Sequence, residues 1–221
     1  MSVPNPWFSW QYVVGHRQEL LAAGREHVTL TVVAVVAAVV VAVPLALLAR
    51  RVRVARAPIL LAAGVLYTIP SLALMSALWP ALGLSPRPVE VALAAYALLI
   101  VLRNILTGLD EVPAEVVESA RGMGFGALRL LLRVELPLAL PAILAGVRIA
   151  TVSTIGLVTV GAVFGYGGFG SLIYEGFQNN FFHAQIMTAT LACVALAVLA
   201  DLLLLALQRV LTPWRRGRAT A

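Results

Sequence analysis

The sequence predicts an all-α polytopic membrane protein with about five transmembrane helices. Three observations carry this expectation. Of the 221 residues, 61% are apolar and only 12% charged, and the mean hydropathy is +0.95. The apolar residues also gather in separate runs, and those runs are punctuated by Arg, Gly and Pro. A soluble domain with a wetted surface carries more charge than this. In lipid the backbone donors and acceptors must be satisfied within the chain, and runs this long and continuously apolar suit helices better than barrel strands.

The elements follow in order. Residues 1–27 are mixed in character and predict an extracellular or interfacial tail, with Trp7, Trp10 and Tyr12 suited either to the membrane edge or to local packing. Glu19 and Glu26 interrupt this segment and no short basic region precedes the first run, so it is expected to be retained rather than cleaved as a signal peptide. Residues 28–49 have the length of a span, with Pro44 bending or thinning it. The uncharged stretch 57–86 predicts a second span ending near Trp79 or Pro80. Pro70 falls inside it, either as a packing kink, which is favoured, or as a gate-related break. A third span covers 91–102 and extends to about Leu106, leaving Glu90 and Arg103 for the two interfaces. The fourth begins between Leu138 and Gly146 and reaches Gly161, and the fifth covers roughly 183–206.

Charge gives the orientation. All 16 basic residues are Arg, against 10 acidic residues, for a net +6. They concentrate at Arg50, Arg51, Arg53 and Arg56, in the region from Arg103 to Arg133, and at Arg209, Arg215, Arg216 and Arg218. Five crossings place all three groups in the cytoplasm when the N-terminus is outside, where they can also face anionic lipid headgroups. The basic residues flank apolar runs, with no zinc-finger spacing or soluble basic helix, so no nucleic-acid partner is expected. A lone cysteine, Cys193, excludes an intramolecular disulfide.

The 107–137 loop between spans three and four, cytoplasmic in this topology, is the polar exception. Pro113 suits a helix start, and Asp110, Glu111 and Glu115 place negative charge near the positive end of that helix. Glu118 and Arg121 share a helical face, while Ala120 and Gly124 offer small surfaces for close approach. Gly122, Gly124 and Gly126 predict a turn before a second helical stretch at 127–134, and Pro137 and Pro141 constrain the return to the membrane. On these residues alone a solvated connector and a docking element stand level.

The segment EVVESARGMGFGALRLLLRVELPLALPAILAGVRIA resembles the signature loop of ATP-binding cassette importer permeases: Glu118-Ser119-Ala120, three residues, Gly124, then Leu136-Pro137, with Ser119 in place of the commonest alanine. The TIPSLALM, RNILTGLDEVPAEVVESARGMG and GYGGFGSLIYEG segments extend the resemblance over nearly all the chain after the tail, and it is to the glycine betaine, carnitine and choline group. The resemblance implies a type I importer permease domain at 28–207 and a basic cytoplasmic tail at 208–221. It implies that the loop is a coupling helix seated on an ATPase subunit, with Glu118, Ala120 and Gly124 at the docking turn and Ser119, Arg121 and Gly122 beside them. It further implies a second, identical or homologous permease, an extracellular or periplasmic solute-binding protein, and a bacterial inner-membrane location. ATP and Mg2+ would belong to the partner ATPase, with no cofactor on this chain. Another small solute, such as an amino acid, is the alternative cargo.

The remaining polar residues add no enzyme. The sequence contains no Lys, so a phosphate-cradling loop is excluded, and no metal-ligand spacing appears. The glycine run with Gly167, Gly168 and Gly170 predicts a tight bend at the outer membrane edge in preference to a direct gate contact. Glu175 reads as solvated, and His183 as a helix cap rather than a metal ligand. Arg148 and Asp201 would be costly at bilayer depth without partners; Asp201 is expected at the interface, and Arg148 is equally suited to either place. Tyr67, Trp79 and Tyr96 are pathway candidates because aromatic faces attract quaternary ammonium ions, although membrane-edge or packing roles are favoured for each.

Overall fold

The computed structural model describes residues 5–214. A short helix, α1 (Trp10–Gly15), precedes α2 (Arg17–Arg51), α3 (Arg53–Thr68), α4 (Ser71–Leu82), α5 (Arg87–Asp110) and α6 (Ala114–Gly122). A final series begins with α7 (Ala127–Leu130), which continues through a π-helical turn (Leu131–Glu135) into α8 (Leu136–Val158) and a 3-10 segment (Thr159–Phe164). Helices α9 (Phe169–Gln178) and α10 (His183–Leu211) follow. Four helical runs are long and apolar enough to cross a membrane: α2, α5, Ala127–Phe164 and α10. The bent pair α3–α4 makes a fifth when it is counted as one span.

The centre is the packing of α2, α5 and α8. Ala34, Ala38, Ala42, Ala46 and Ala49 recur every three or four residues on one face of α2, and none is more than 1% exposed. Such a face lets helix backbones approach closely, which matters in lipid because apolar transfer supplies no drive for one helix to prefer another. Leu102, Ile105 and Leu106 of α5 belong to the same cluster. The crossing of α5 with α8 is so close that a Cβ on Gly146 would stand 2.3 Å from Asn104 Cβ.

The structure redraws several expected boundaries. The first spanning helix begins at Arg17 rather than near residue 28, and with α1 before it most of the described part of the expected tail is helical. Its early turns are held by packing of Ala23 against Phe169 and by the burial of His27. The second span is not one helix: α3 and α4 meet at 99° across Ile69 and Pro70. The third extends at both ends and carries helix into the expected loop as far as Asp110. The second helical stretch of that loop is the start of span four itself, because Ala127–Phe164 is one uninterrupted helical run. Pro137, which lacks a backbone donor, enters just after the π turn, where Leu136 N–H donates to Leu131 C=O and the helix is already widened. The tail arginines Arg215, Arg216 and Arg218 lie outside the described residues.

Candidate functional site

Pro113 caps α6 at the end that carries Glu115, as the helix dipole favours. The other end closes by backbone geometry. Phe125 N–H donates to Ala120 C=O at 3.1 Å, Gly124 N–H donates to Arg121 C=O at 2.9 Å, and Gly124 has φ +81°. This pair of bonds around a left-handed residue is the Schellman ending, which a residue with a Cβ adopts only with strain. A Cβ on Gly124 would meet nothing within 4 Å, so the requirement comes from the backbone and not from local crowding. Glu118, Ser119, Arg121 and Gly122 are exposed, and Ser119 Oγ donates to Glu115 C=O at 2.8 Å. Ala120 is different: it is 2% exposed and faces inward, so its small side chain serves the fold of the segment.

Two ion pairs tie this segment's borders to the neighbouring spans, and neither was anticipated. Arg50 at the end of α2 donates through both terminal nitrogens to the Glu135 carboxylate at 2.8 Å, with Glu135 only 8% exposed. Arg56 of α3 reaches Asp110, the last residue of α5, at 2.5 Å. Arg129 lies 4.4 Å from the Phe125 ring centre, a cation–π contact across the turn. The available signal was charge of opposite sign at the ends of apolar runs, but sequence distance hid the pairing.

The break between α3 and α4 gathers two of the three aromatic candidates. Pro70 stands at the corner, Thr68 Oγ1 donates back to Val65 C=O, and Tyr96 O–H donates to Ile69 C=O. Backbone that leaves a helix at membrane depth needs such partners or water. Tyr67 packs edge-on against Tyr96, with ring centres 5.7 Å apart, and remains 44% exposed. Tyr96 is buried and its hydroxyl is committed. Trp79 lies elsewhere, tilted on Phe164 at 5.1 Å.

The glycine-rich bend is a packing device. Gly167, Gly168 and Gly170 are all buried, and Gly168 has φ +54°, with a Cβ there standing 2.6 Å from His27 Cβ. His27 Nε2 donates to Ile155 C=O at 2.9 Å, and Nδ1 accepts from Phe169 N–H at 3.3 Å, which fixes the tautomer. A lone histidine at the edge of an apolar run gave no hint of this role. His183 is not a cap: Phe182 is, while His183 N–H donates to Asn5 Oδ1 at 2.9 Å and its ring stacks on Trp7 at 4.2 Å. Nearby, burial together with Glu19 and Glu175 pushes the Tyr12 hydroxyl up to about 12.

Asp201 is paired with Arg148 between α10 and α8. Arg148 Nε and Nη2 donate to its carboxylate at 2.8–3.0 Å, and Nη1 donates to Gln208 Oε1 at 3.3 Å. Gln208 in turn donates to Pro141 C=O at 3.1 Å. Asp201 lies about 15 Å of helix from Leu211 and about 27 Å from His183, well inside α10. Each charge is answered by the other, which is the condition for carrying such residues on apolar helices.

These features define a polytopic helical membrane protein. The same fold occurs in the inward-facing MetNI methionine ABC transporter, CY5 native crystal form, at TM-score 0.79 and 22% identity over 87% of this chain and 96% of that one. Residues 28–217 match the binding-protein-dependent transport system inner membrane component family. The choline transport system permease protein OpuBB of Bacillus subtilis (strain 168) is 36% identical over 92% of this chain and 93% of its own length. The osmoprotectant import permease protein OsmW of Salmonella typhimurium is 37% identical over 91% and 96%, and the carnitine transport permease protein OpuCD of Listeria monocytogenes 35% over 87% and 86%. The chain belongs to this family, as a permease subunit of the glycine betaine, carnitine and choline ABC importer group. It is a multi-pass inner-membrane protein and a non-catalytic subunit, in an importer architecture whose ATPase and solute-binding components are separate.

Replacing Asp201 by Leu strands Arg148 in the membrane and is expected to destabilise the fold by about 2–3 kcal/mol. The double variant Arg148→Met/Asp201→Leu removes both charges and is expected to recover most of that loss. Unfolding midpoints in detergent check this; equal losses in the single and double variants would show that the ion pair is not the source.

Proposed function

We infer that the chain forms part of the membrane pathway of an ATP-driven importer for quaternary ammonium osmoprotectants such as glycine betaine, choline or carnitine. The observation that carries this reading is the near full-length similarity to permeases named for those solutes. An amino-acid cargo has support only from a solved structure alike in fold. ATP and Mg2+ act on the partner ATPase, and two permease subunits, identical or homologous, enclose the route. An external binding protein delivers the solute, whose cation is attracted to aromatic faces without a carboxylate that would hold it too tightly. Tyr67 is the candidate face because it is half-exposed at the span-two break, while Tyr96 and Pro70 position it; Trp79, packed on Phe164, is the third aromatic candidate.

Coupling runs through α6. Its exposed face mixes Glu118 and Arg121 with the apolar side chains of Val116 and Met123, a composition suited to a protein groove. Movement of that groove would act on α5 and on the Ala127–Phe164 run, between which the segment is strung. The reading also places the N-terminus outside and the C-terminus inside. In support, the N-terminal segment is bonded to the start of α10, whereas the end of α10 reaches Pro141 near the start of α8, beside the coupling segment.

Reconstituted with its partners, the importer is expected to take up radiolabelled betaine, choline or carnitine in an ATP-dependent way; uptake of an unrelated amino acid alone, with none of the three competing, would remove the cargo assignment. Gly124→Val is expected to insert normally but to lose most co-purifying ATPase, with Gly124→Asn intermediate because Asn tolerates the left-handed backbone better. Wild-type ATPase recovery in Gly124→Val would remove that turn from the coupling mechanism. In a Cys193→Ala background, a membrane-impermeant thiol reagent is expected to label Gln11→Cys in intact cells and Glu115→Cys only after permeabilisation. The reverse pattern would invert the orientation.

A further inference from the structure

A groove of about 890 Å³ runs along α3 beside α5. Tyr67 and Thr68 line the end of it next to the Pro70 break, and Leu60, Leu61 and Leu99 form much of its wall. The charged residue that lines it is Arg103 of α5, which is exposed, and among the described residues no carboxylate pairs with it. An arginine on an apolar helix calls for a partner or for water. Arg50 and Arg148 meet that need through Glu135 and Asp201, whereas Arg103 faces the groove. Its place on the helix is also specific. Tyr96 and Arg103 lie two turns apart on one face of α5, about 10 Å along the axis, and Tyr67 packs on Tyr96. A half-exposed ring and a guanidinium without a carboxylate therefore stand at two levels of one groove, and the flexible arginine side chain can shorten the span between them.

We propose that this groove selects zwitterions: Arg103 takes the solute carboxylate while Tyr67 faces the quaternary ammonium, so that betaine and carnitine are passed in preference to choline, which has no carboxylate. The inference rests on the cargo reading given above and on Tyr67 as its aromatic face. A guanidinium matches a carboxylate in a two-pronged geometry and stays charged at any working pH. The ring attracts the cation through its face without presenting a charge that would trap it. Selectivity then comes from sign. A cation that lacks a carboxylate meets Arg103 as a like charge, and a zwitterion turned end for end sets its ammonium against the guanidinium, so one solute class in one orientation is favoured. Carnitine, with the longer chain between its charged groups, spans the two levels more fully than betaine does.

The test uses the assembled transporter in proteoliposomes with the same external binding protein throughout, so that the selectivity of that protein cancels in the ratio of variant to wild-type uptake. Arg103→Gln is expected to raise the KM for betaine and carnitine about tenfold and to leave choline uptake no lower than in the wild type. Arg103→Lys, which keeps the charge, is expected to recover part of the loss. Tyr67→Leu is expected to weaken uptake of all the quaternary ammonium solutes about threefold or more, with Tyr67→Phe close to wild type. An equal fall for betaine, carnitine and choline in Arg103→Gln, or lost recovery of the second permease subunit, assigns the charge to assembly and overturns the site. Unchanged uptake of every solute assigns Arg103 to the membrane edge, where its head reaches lipid phosphate, and overturns it too. Wild-type uptake of choline with neither betaine nor carnitine overturns this inference and leaves the quaternary ammonium cargo in place. Wild-type uptake of none of these solutes removes the cargo assignment itself, and this inference with it.

Discussion

The fold depends on how closely α2, α5 and α8 approach one another. Lipid offers apolar side chains nearly the same environment as a protein interior, so packing has to discriminate where hydrophobic transfer does not. The alanine face of α2 provides that discrimination: with side chains no larger than a methyl group, the dispersion contacts of the whole helix are made at short range. The contact between Gly146 and Asn104 does the same at the next crossing. With these three helices fixed as a unit, α3–α4 and α10 can be more loosely applied to its flanks, and their large exposed apolar faces are left for lipid or for other subunits.

Around this unit, three departures from regular helix are met by specific partners. Tyr96 takes up the carbonyl freed beside Pro70. His27 links the 155 carbonyl to the amide that begins α9. Gly124 lets the end of α6 satisfy its own carbonyls. For the groups at Ile69 and His27, loss of the partner leaves a polar group with no other partner shown. The irregular places are thus defined in position, which is what a pathway that must open and close in a reproducible way requires.

The segment that contains α6 is held at its borders rather than along its length. Glu135 is fixed to Arg50 and Asp110 to Arg56, while α6 itself presents an exposed face. α6 is thus joined to α5 and to the fourth span by short connections at its two ends. The continuity of α7 with α8 strengthens this link, because a flexible hinge at Pro137 would absorb displacement that a continuous helical run passes on.

The sequence by itself determined the class and the place of the polar segment between the third and fourth runs, because these follow from local quantities: run length, charge at run ends, and a helix start at Pro113 closed by glycine at 124. It also marked Pro70 and the 165–170 glycines as irregular, since proline and glycine act on the backbone where they stand. Tertiary structure alone decided the partners. Arg148 with Asp201, Arg50 with Glu135, and His27 with the α9 amide join residues 53, 85 and 142 positions apart. Nothing in a span's own composition states which neighbour it faces. The boundary at Arg17 was hidden for the same reason: Glu19 and Glu26 argue for a tail until packing against Phe169 continues the helix through them. Local chemistry fixes which residues can be helical and where charge can reach water; which side chains meet is set by how helices pack, and that is a property of the whole chain.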